Sequence, residues 1–349
     1  MKKSDIQPLV FDWIRKRQVT DEPFVHELGD VLELSTDSVY RRLRGETALN
    51  LYEIERITEV YDFSLDEVMG TSATRLAFNY KPIREESFHF IDYLKYIDNM
   101  MSTIAATSNP RMYYMANDIP FFQLMNSPLI ASFKLFFWQK TILDFKAYKH
   151  LKFKLFEKND AINELSRSIR KSYFEIPSVE IYSPQTIGTT LRQIEYYLYT
   201  GHFEDLKASL LLCDALDQLV EHLRNQCEYG HKNSIKNMDA MEAEISMDDE
   251  QDMYKVYFND ILYTDATILV KMENQKVSYL TNNGLNVLST KDEGFFDNSI
   301  RTFEILRRKS TNISKGADRD RNRTFNTFLE RIDKARSQFK LYIKSQGIE

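Results

Sequence analysis

Residues 34–46 of the chain read LSTDSVYRRLRGE, and this stretch decides how the N-terminal region is interpreted. Ser35 is a favourable N-cap for a short helix, and Gly45 is the kind of residue that ends one. Val39 and Leu43 are four residues apart, so they lie on the same face of that helix. Most of the remaining positions are polar. The sequence therefore predicts a short helix that two aliphatic side chains anchor to a core while its opposite flank stays free.

Helical signals also lie on both sides of this stretch. Apolar residues recur at helical spacing, and capping residues and glycines separate the segments. The predicted elements are a helix over residues 5–17, a helix opened by Pro23, a helix starting at Leu49 or Asn50, and a last turn opened by the capping box Ser64–Glu67. Residues 1–78 are thus predicted to form a compact five-helix domain.

The short polar helix has the character of a DNA recognition helix. A helix-turn-helix domain packs one helix on its body and lets a second, short helix enter the major groove. Arg41 can bind a guanine with two hydrogen bonds, and Asp37 can accept from a cytosine or brace Arg41 one turn away. The predicted DNA-contacting residues are Thr36, Asp37, Ser38, Tyr40, Arg41, Arg42 and Arg44, with weaker phosphate contacts from Arg15, Lys16 and Arg17.

The charge balance of this domain works against DNA binding. Residues 1–78 hold 10 Lys and Arg against 15 Asp and Glu, a net charge of −5. Such a balance disfavours non-specific attraction to phosphates, so contact has to come from local patches. Two copies on half-sites about one DNA turn apart bind far more tightly than one copy. We therefore expect a homodimer on double-stranded DNA.

The N-terminal pattern resembles the XRE/Cro-type (lambda-repressor-like) transcription regulators of bacteria. In that family a short Arg-Gly element, here Arg44-Gly45, ends the recognition helix, and a helix and a sequence like Phe63–Glu67 follow. The resemblance covers roughly residues 5–70 and implies a sequence-specific DNA-binding regulator. Further segments resemble larger bacterial regulators with this N-terminal domain, without implying any chemistry. They are residues 117–122, 133–138 and 180–183.

The rest of the chain changes its periodicity near residue 250. Residues 79–250 are predicted to be a helical dimerisation and core region. Residues 239–252 hold seven acidic and no basic side chains, as an exposed linker would. Residues 251–349 are predicted to be an α+β sensor region. Its predicted elements are strands over 254–258, 268–272, 277–280 and 285–288 and helices over 295–309 and 314–344. The expected fold class is mainly α, with a small antiparallel sheet and flanking helices in the C-terminal part.

Several function classes lack support in the sequence. Two cysteines cannot form a disulfide framework. The most hydrophobic segment, residues 130–143, is too short and too charged to span a bilayer. Cys213 and Cys227 fall on an apolar helical stripe while His222 falls on the opposite face, which favours core cysteines over a metal site. No catalytic motif occurs. We expect a cytoplasmic protein that is not an enzyme, contacts no membrane and needs no cofactor.

Two segments and the overall function keep alternative interpretations. The basic segment 301–323 is either an anion site, with Ser314 capping a helix, or a solvated junction. The aromatic residues Phe121, Phe122 and 133–138 either line a small-molecule pocket or belong to the core. The main hypothesis is a one-component regulator whose unknown small-molecule or peptide effector shifts the spacing of two DNA-binding heads. The alternative is a peptide- or protein-binding module without base readout.

Overall fold

The computed structural model describes most of the chain. The described residues are 6–15, 23–61, 63, 65, 68, 76–155, 160–233, 253–260, 266–282 and 284–347. The predicted capping box at Ser64–Glu67 and the predicted linker at 239–252 lie outside these residues, apart from Leu65. No described helix is long and apolar enough to cross a membrane.

The chain divides into two compact units. Unit 1 comprises the residues up to Asn79 together with Thr290–Asp292, and unit 2 comprises Tyr80–Ser289 together with the residues from Glu293 onward. The predicted regions 79–250 and 251–349 both fall in unit 2 because their strands share one sheet.

Unit 1 is built from four described helices around a small apolar core. The helices are α1 (Ile6–Arg15), α2 (Phe24–Leu32), α3 (Thr36–Leu43) and α4 (Leu51–Val60). Each helix contributes buried apolar side chains at helical spacing, which is what removes them from water. The core consists of Val10, Phe11, Ile14, Leu28, Leu32, Val39, Ile57 and Phe63.

Unit 2 combines helices with a large sheet. Its helices are α5 (Phe90–Ala105), α6 (Phe121–Leu124), α7 (Pro128–Phe137), α8 (Asp160–Glu175), α9 (Gln185–Tyr199), α10 (Ala208–Tyr229), α11 (Glu293–Arg308) and α12 (Asp318–Ser345). A π-helix (Trp138–Ile142) continues α7, and a short 3₁₀ helix (Lys146–Tyr148) follows. The strands are β1 (Asn79–Tyr80), β2 (Arg111–Met115), β3 (Ser178–Tyr182), β4 (Tyr254–Phe258), β5 (Thr267–Lys271), β6 (Lys276–Asn282), β7 (Asn286–Thr290) and β8 (Thr311–Asn312).

The eight described strands form one mixed sheet in the order β1-β7-β6-β5-β2-β3-β4-β8. Strands β2, β3 and β4 run parallel, while β5 pairs antiparallel with both β2 and β6. Along β2 the side chains alternate, so Met112 and Tyr114 join the main core and Tyr113 and Met115 join a second core on the other face. Helix α11 packs on that second face through Phe296 and Phe303.

The predicted fold class, mainly α with an α+β C-terminal part, is confirmed. The sheet is larger than expected and mixed rather than small and antiparallel, because it includes β2 and β3 from the region predicted to be helical. Helices cover both faces of these two strands, and every residue of β3 is buried. A strand buried on both faces shows no alternation of polar and apolar residues, so the period-two signal is missing.

Helix α10 carries the cysteines and the histidine that the sequence analysis considered as metal ligands. Cys213 and Cys227 are buried and reduced in the core, as predicted. His222, on the opposite face of the helix, is buried as well, and it hydrogen bonds the carbonyl of Asn233. Helix α10 is covered on more than one side, because helix α12 and strand β4 both contact it.

Candidate nucleic-acid interface

Helix α3 begins and packs as its sequence predicts. The Ser35 hydroxyl accepts a hydrogen bond from the Ser38 amide at 3.4 Å and caps the helix. Val39 is buried and Leu43 is partly buried, and both pack on the core of unit 1. Glycine at position 45 adopts a φ of +75° after the last turn, a conformation that favours glycine. The inner face of α3 is therefore fixed to the body of the unit.

The outer face of α3 is a continuous polar stripe. We call Thr36, Asp37, Tyr40, Arg41 and Arg44 the α3 stripe, because successive turns of the helix place them on one side and all five are exposed. Tyr40 is 47% exposed although it is aromatic. The stripe brings together five of the seven residues that the sequence predicts to contact DNA. Whether they contact DNA stays a prediction.

Two ion pairs run along the α3 stripe. Arg41 Nε lies 3.2 Å from Asp37 Oδ2, one helical turn away. Arg44 Nε donates to Glu46 Oε1 at 2.7 Å, and this hydrogen bond lowers the pKa of Glu46. All four side chains are at least half exposed, so water screens both pairs and each pair stabilises the fold little. The two arginines can exchange these partners for other acceptors at low cost.

The remaining two predicted residues occupy a different position. Ser38 is partly buried and its hydroxyl contacts the Ser35 hydroxyl at 3.0 Å. Arg42 is only 13% exposed, and its guanidinium donates to both carboxylate oxygens of Glu53, at 3.0 and 2.5 Å. Glu53 also completes a capping box with Asn50 at the start of α4. Arg42 thus joins α3 to α4 in this geometry.

The pKa of Glu53 reflects this double contact. Burial by itself raises the pKa, but the hydrogen bonds from Arg42 and from the Asn50 amide, together with the Arg42 charge, bring it below its ordinary value. The carboxylate is therefore ionised at neutral pH. The pair joins α3 to α4, the helix that follows it.

Gln7 on α1 holds the end of α3 and received no role in the sequence analysis. Its amide nitrogen donates to the carbonyls of Arg42 at 2.6 Å and Thr47 at 2.9 Å, and its oxygen accepts from the Leu49 amide at 2.8 Å. One side chain thereby satisfies three backbone groups after the helix. The only sequence signal was a polar residue among the apolar positions of α1.

The predicted phosphate-contacting residues are only partly described. Arg15 is exposed at the end of α1, and its guanidinium carbon lies 5.2 Å from the centre of the Phe24 ring. Lys16 and Arg17 lie outside the described residues. Phosphate contact by Arg15 stays a prediction.

Asp37→Asn is expected to strengthen binding to duplexes of random sequence about threefold to tenfold at low salt. The change removes a negative charge beside the stripe and frees Arg41 to bind a phosphate, so the salt dependence should steepen by about one counterion. Titration of labelled duplex at several salt concentrations measures both effects. Glu55→Gln on α4 is the matched control, since that carboxylate is exposed but lies off the stripe. Unchanged or weaker binding by Asp37→Asn would contradict the role given to the stripe.

Two arginines of the basic segment 301–323 are bound by other groups of the protein. Arg307 donates to Glu304 and to the hydroxyl of Tyr257. Arg321 is 2% exposed and donates to Asp318 and to the Ser314 carbonyl. Ser314 does not cap the following helix as the anion-site alternative requires. It is buried and its hydroxyl bonds the amide and carbonyl of Val256 on β4.

The aromatic segments of unit 2 lie in the core and along a cavity. Phe133 is fully buried and packs against Phe153, Tyr197 and Phe203 in the core. Trp138 and the pair Phe121 and Phe122 line a cavity of about 700 Å³. Most of these aromatic side chains therefore belong to the core, and some of them line the cavity.

A buried polar cluster lies elsewhere in unit 2. Glu180 on β3 is fully buried and accepts hydrogen bonds from the hydroxyls of Tyr173, Ser178 and Tyr254. Lys232 donates to the same Ser178 hydroxyl at 3.1 Å and to the carbonyl of residue 176 at 2.5 Å. Burial lowers the pKa of Lys232 to about 7, although the Glu180 charge acts in the opposite direction. Neither charged group lines the cavity, so the cluster belongs to the core.

Comparison with protein families supports the assignment of the N-terminal region. The model of the BetR domain matches residues 12–106. The N-terminal region is similar to the BetR domain family. That family is a helix-turn-helix-like DNA-binding domain family, and the match includes α2, α3 and α4 and continues through α5. No curated protein and no solved structure matches the chain.

The match agrees with the sequence interpretation at a coarse level. Both indicate a DNA-binding regulator with its DNA-binding elements near the N-terminus. The matched range is about a quarter of the chain, and it ends before strand β2.

Proposed function

We propose that the protein is a sequence-specific transcription regulator of the XRE/Cro type that inserts α3 into the major groove of DNA. The observation that carries the proposal is the α3 stripe. Its five side chains are exposed on one side of a helix whose other side is anchored by Val39 and Leu43. The N-terminal residues of such a helix meet base edges. Arg41 is the proposed reader of a guanine, with Tyr40 and Thr36 beside it.

Dimerisation and effector sensing are further parts of the proposal. The acidic balance of residues 1–78 makes a single copy a weak binder, so a homodimer on two half-sites is the expected active form. Unit 2 carries the cavity near Trp138 and is the proposed sensor. Binding of an effector there would shift the population of DNA-competent dimers. The proposal includes no enzymatic activity and no cofactor.

Arg41→Ala is expected to abolish the base preference of the protein. Loss of one bidentate contact costs about 1–3 kcal/mol, or about 5-fold to 150-fold in affinity for the preferred site. Selection of bound duplexes from a random pool, with wild-type protein and with the variant, measures the preference directly. A palindromic consensus that disappears in Arg41→Ala is the expected result.

The matched control is Arg56→Ala. Arg56 lies on α4, is exposed and pairs with Glu33 at 2.8 Å, much as Arg41 pairs with Asp37, but it lies off the α3 stripe. The DNA consensus selected by the Arg56→Ala variant should equal the consensus selected by the wild-type protein. Enrichment of no sequence by the wild-type protein at moderate salt would overturn the proposal.

A second candidate is a protein-binding module without base readout. It is favoured by two large apolar side chains at the start of α4, Leu51 and Tyr52, which are 82% and 79% exposed. Exposed apolar side chains of this size are costly in water unless a partner covers them. This candidate predicts that Leu51→Ser with Tyr52→Ser abolishes complex formation while the selection experiment returns no consensus.

A further inference from the structure

The cavity of unit 2 lies between α5 and one face of the sheet. It has a volume of about 700 Å³, within the range of sites that hold a drug-sized molecule. Ile97 and Met101 of α5 form one wall, and Met112 of β2 and Val270 of β5 form the other. Each of these four side chains is less than 5% exposed. The main part of the cavity therefore offers an apolar ligand mostly apolar walls.

One end of the cavity is polar and carries a positive charge. There Arg192 of α9 donates to the side-chain oxygens of Gln185 at 2.5 Å and Thr189 at 3.3 Å, both of which are neutral. In the described part of the chain, no carboxylate lies within ion-pair distance of Arg192. Asp118 at the same end is already paired with the buried Lys134. Among the described lining residues, Arg192 is thus the charged group without an opposite charge.

The wall beside this charge contains a π-helical turn. Trp138 and Ile142, the first and last residues of the π-helix, both line the cavity. The indole packs on Gly284, which has a φ of +80°, so closely that a Cβ there would lie 2.9 Å from the ring. A larger residue at position 284 would displace the indole. Turns of π-helix inside α-helices are frequent at functional sites.

We propose that this cavity binds a small molecule with an apolar body and a single carboxylate. The body lies between α5 and the sheet, and the carboxylate accepts hydrogen bonds from the guanidinium of Arg192, whose planar fork suits that group. This inference names the chemical class of the effector and so rests on the sensing role in the proposed function. Arg192 itself is exposed, which places the carboxylate at the mouth of the cavity.

A fluorescence titration of the full chain tests the proposal. The chain has two tryptophans, and in a Trp13→Phe background the signal comes from Trp138 in the cavity wall. The probes are dodecanoate, dodecanol and dodecylammonium, each kept below its micelle concentration. Dodecanoate is expected to bind most tightly. Arg192→Gln should weaken dodecanoate binding about tenfold and change dodecanol binding less than twofold.

Two further variants make the result specific. Arg308→Gln removes an exposed arginine of α11 that does not line the cavity, so dodecanoate should bind it as it binds the parent chain. Ala266→Phe places a ring inside the cavity and should abolish binding of both dodecanoate and dodecanol. Circular dichroism establishes that each variant is folded.

Three outcomes would overturn the inference. The first is that no probe changes the Trp138 signal, the second that the alcohol binds as tightly as the acid, and the third that Arg192→Gln leaves the affinity for dodecanoate unchanged. The titration contains no DNA. Failure to select a DNA consensus would therefore contradict DNA binding and leave the titration result unaffected. Failure of the titration would contradict the carboxylate site and leave DNA binding unaffected.

Discussion

Glu180→Ala is expected to lower the free energy of unfolding of unit 2 by about 3–5 kcal/mol, because each buried polar group left unpaired costs about 1–3 kcal/mol. The change removes the acceptor of the Tyr173, Ser178 and Tyr254 hydroxyls in a fully buried site. It also removes the carboxylate charge that opposes the lowering of the Lys232 pKa by burial. The hydroxyls are shielded from bulk water, so hydration compensates little of the loss.

Urea unfolding followed by circular dichroism measures this loss. Glu164→Ala is the matched control, because Glu164 is an exposed residue of α8, and it should change stability by less than about 0.5 kcal/mol. A Glu180→Ala protein within about 1 kcal/mol of wild type would mean that the buried cluster contributes little.

The stability of unit 2 is expected to rise with pH between about 7 and 9. The pKa of Lys232 is about 7 in the folded protein because burial disfavours its charged form, whereas the ordinary value is 10.5. Between these values the unfolded chain binds a proton that the folded chain does not, so raising the pH favours folding. The slope is at most about 1.4 kcal/mol per pH unit.

The neighbours of Lys232 define the control for this measurement. Burial raises the pKa of Tyr173 and of Tyr254 well above 10, so neither titrates in this range. Burial also raises the pKa of Glu180. This group affects the pH dependence of stability with the opposite sign, because the folded protein loses the stability gained from the protonated carboxyl group as the pH rises through that pKa.

Lys232→Met combined with Glu180→Gln removes both ionisable groups and keeps their volume. Replacement of buried charged groups by neutral groups of similar size is often tolerated. Free energies of unfolding at pH 7, 8 and 9 should be nearly constant in this double variant and should rise in wild type and in the surface control Lys340→Met. Equal slopes in wild type and the double variant would contradict the assignment.

Local patterns in the sequence were sufficient for most elements of unit 1. Its helices are short and half-buried, so the apolar spacing of residues such as Val39 and Leu43 and the cap at Ser35 determine their ends. The hairpin β5–β6 and the helices α11 and α12 followed from periodicity for the same reason. The α3 stripe was predictable because the face opposite a buried stripe must be exposed.

The roles of individual charged residues were not predictable in this way. Arg42 looks like Arg41 in the sequence, yet its guanidinium pairs with Glu53, eleven residues further along and on another helix. Gln7 contacts residues 35 and 40 or more positions away. Such contacts depend on how helices pack, and packing angles are not encoded in the spacing of one helix.

The sequence by itself determined that the N-terminal region is a small helical domain with an exposed polar helix, and that strands follow residue 250. Local periodicity and capping carry that information, because each depends on neighbours within a few turns. Only the tertiary structure decided that β2 and β3 join those strands in one sheet, that Lys232 lies in the core near Glu180, and that Arg192 charges the end of an apolar cavity. These features join segments far apart in the chain, and their energy comes from burial that no local pattern records.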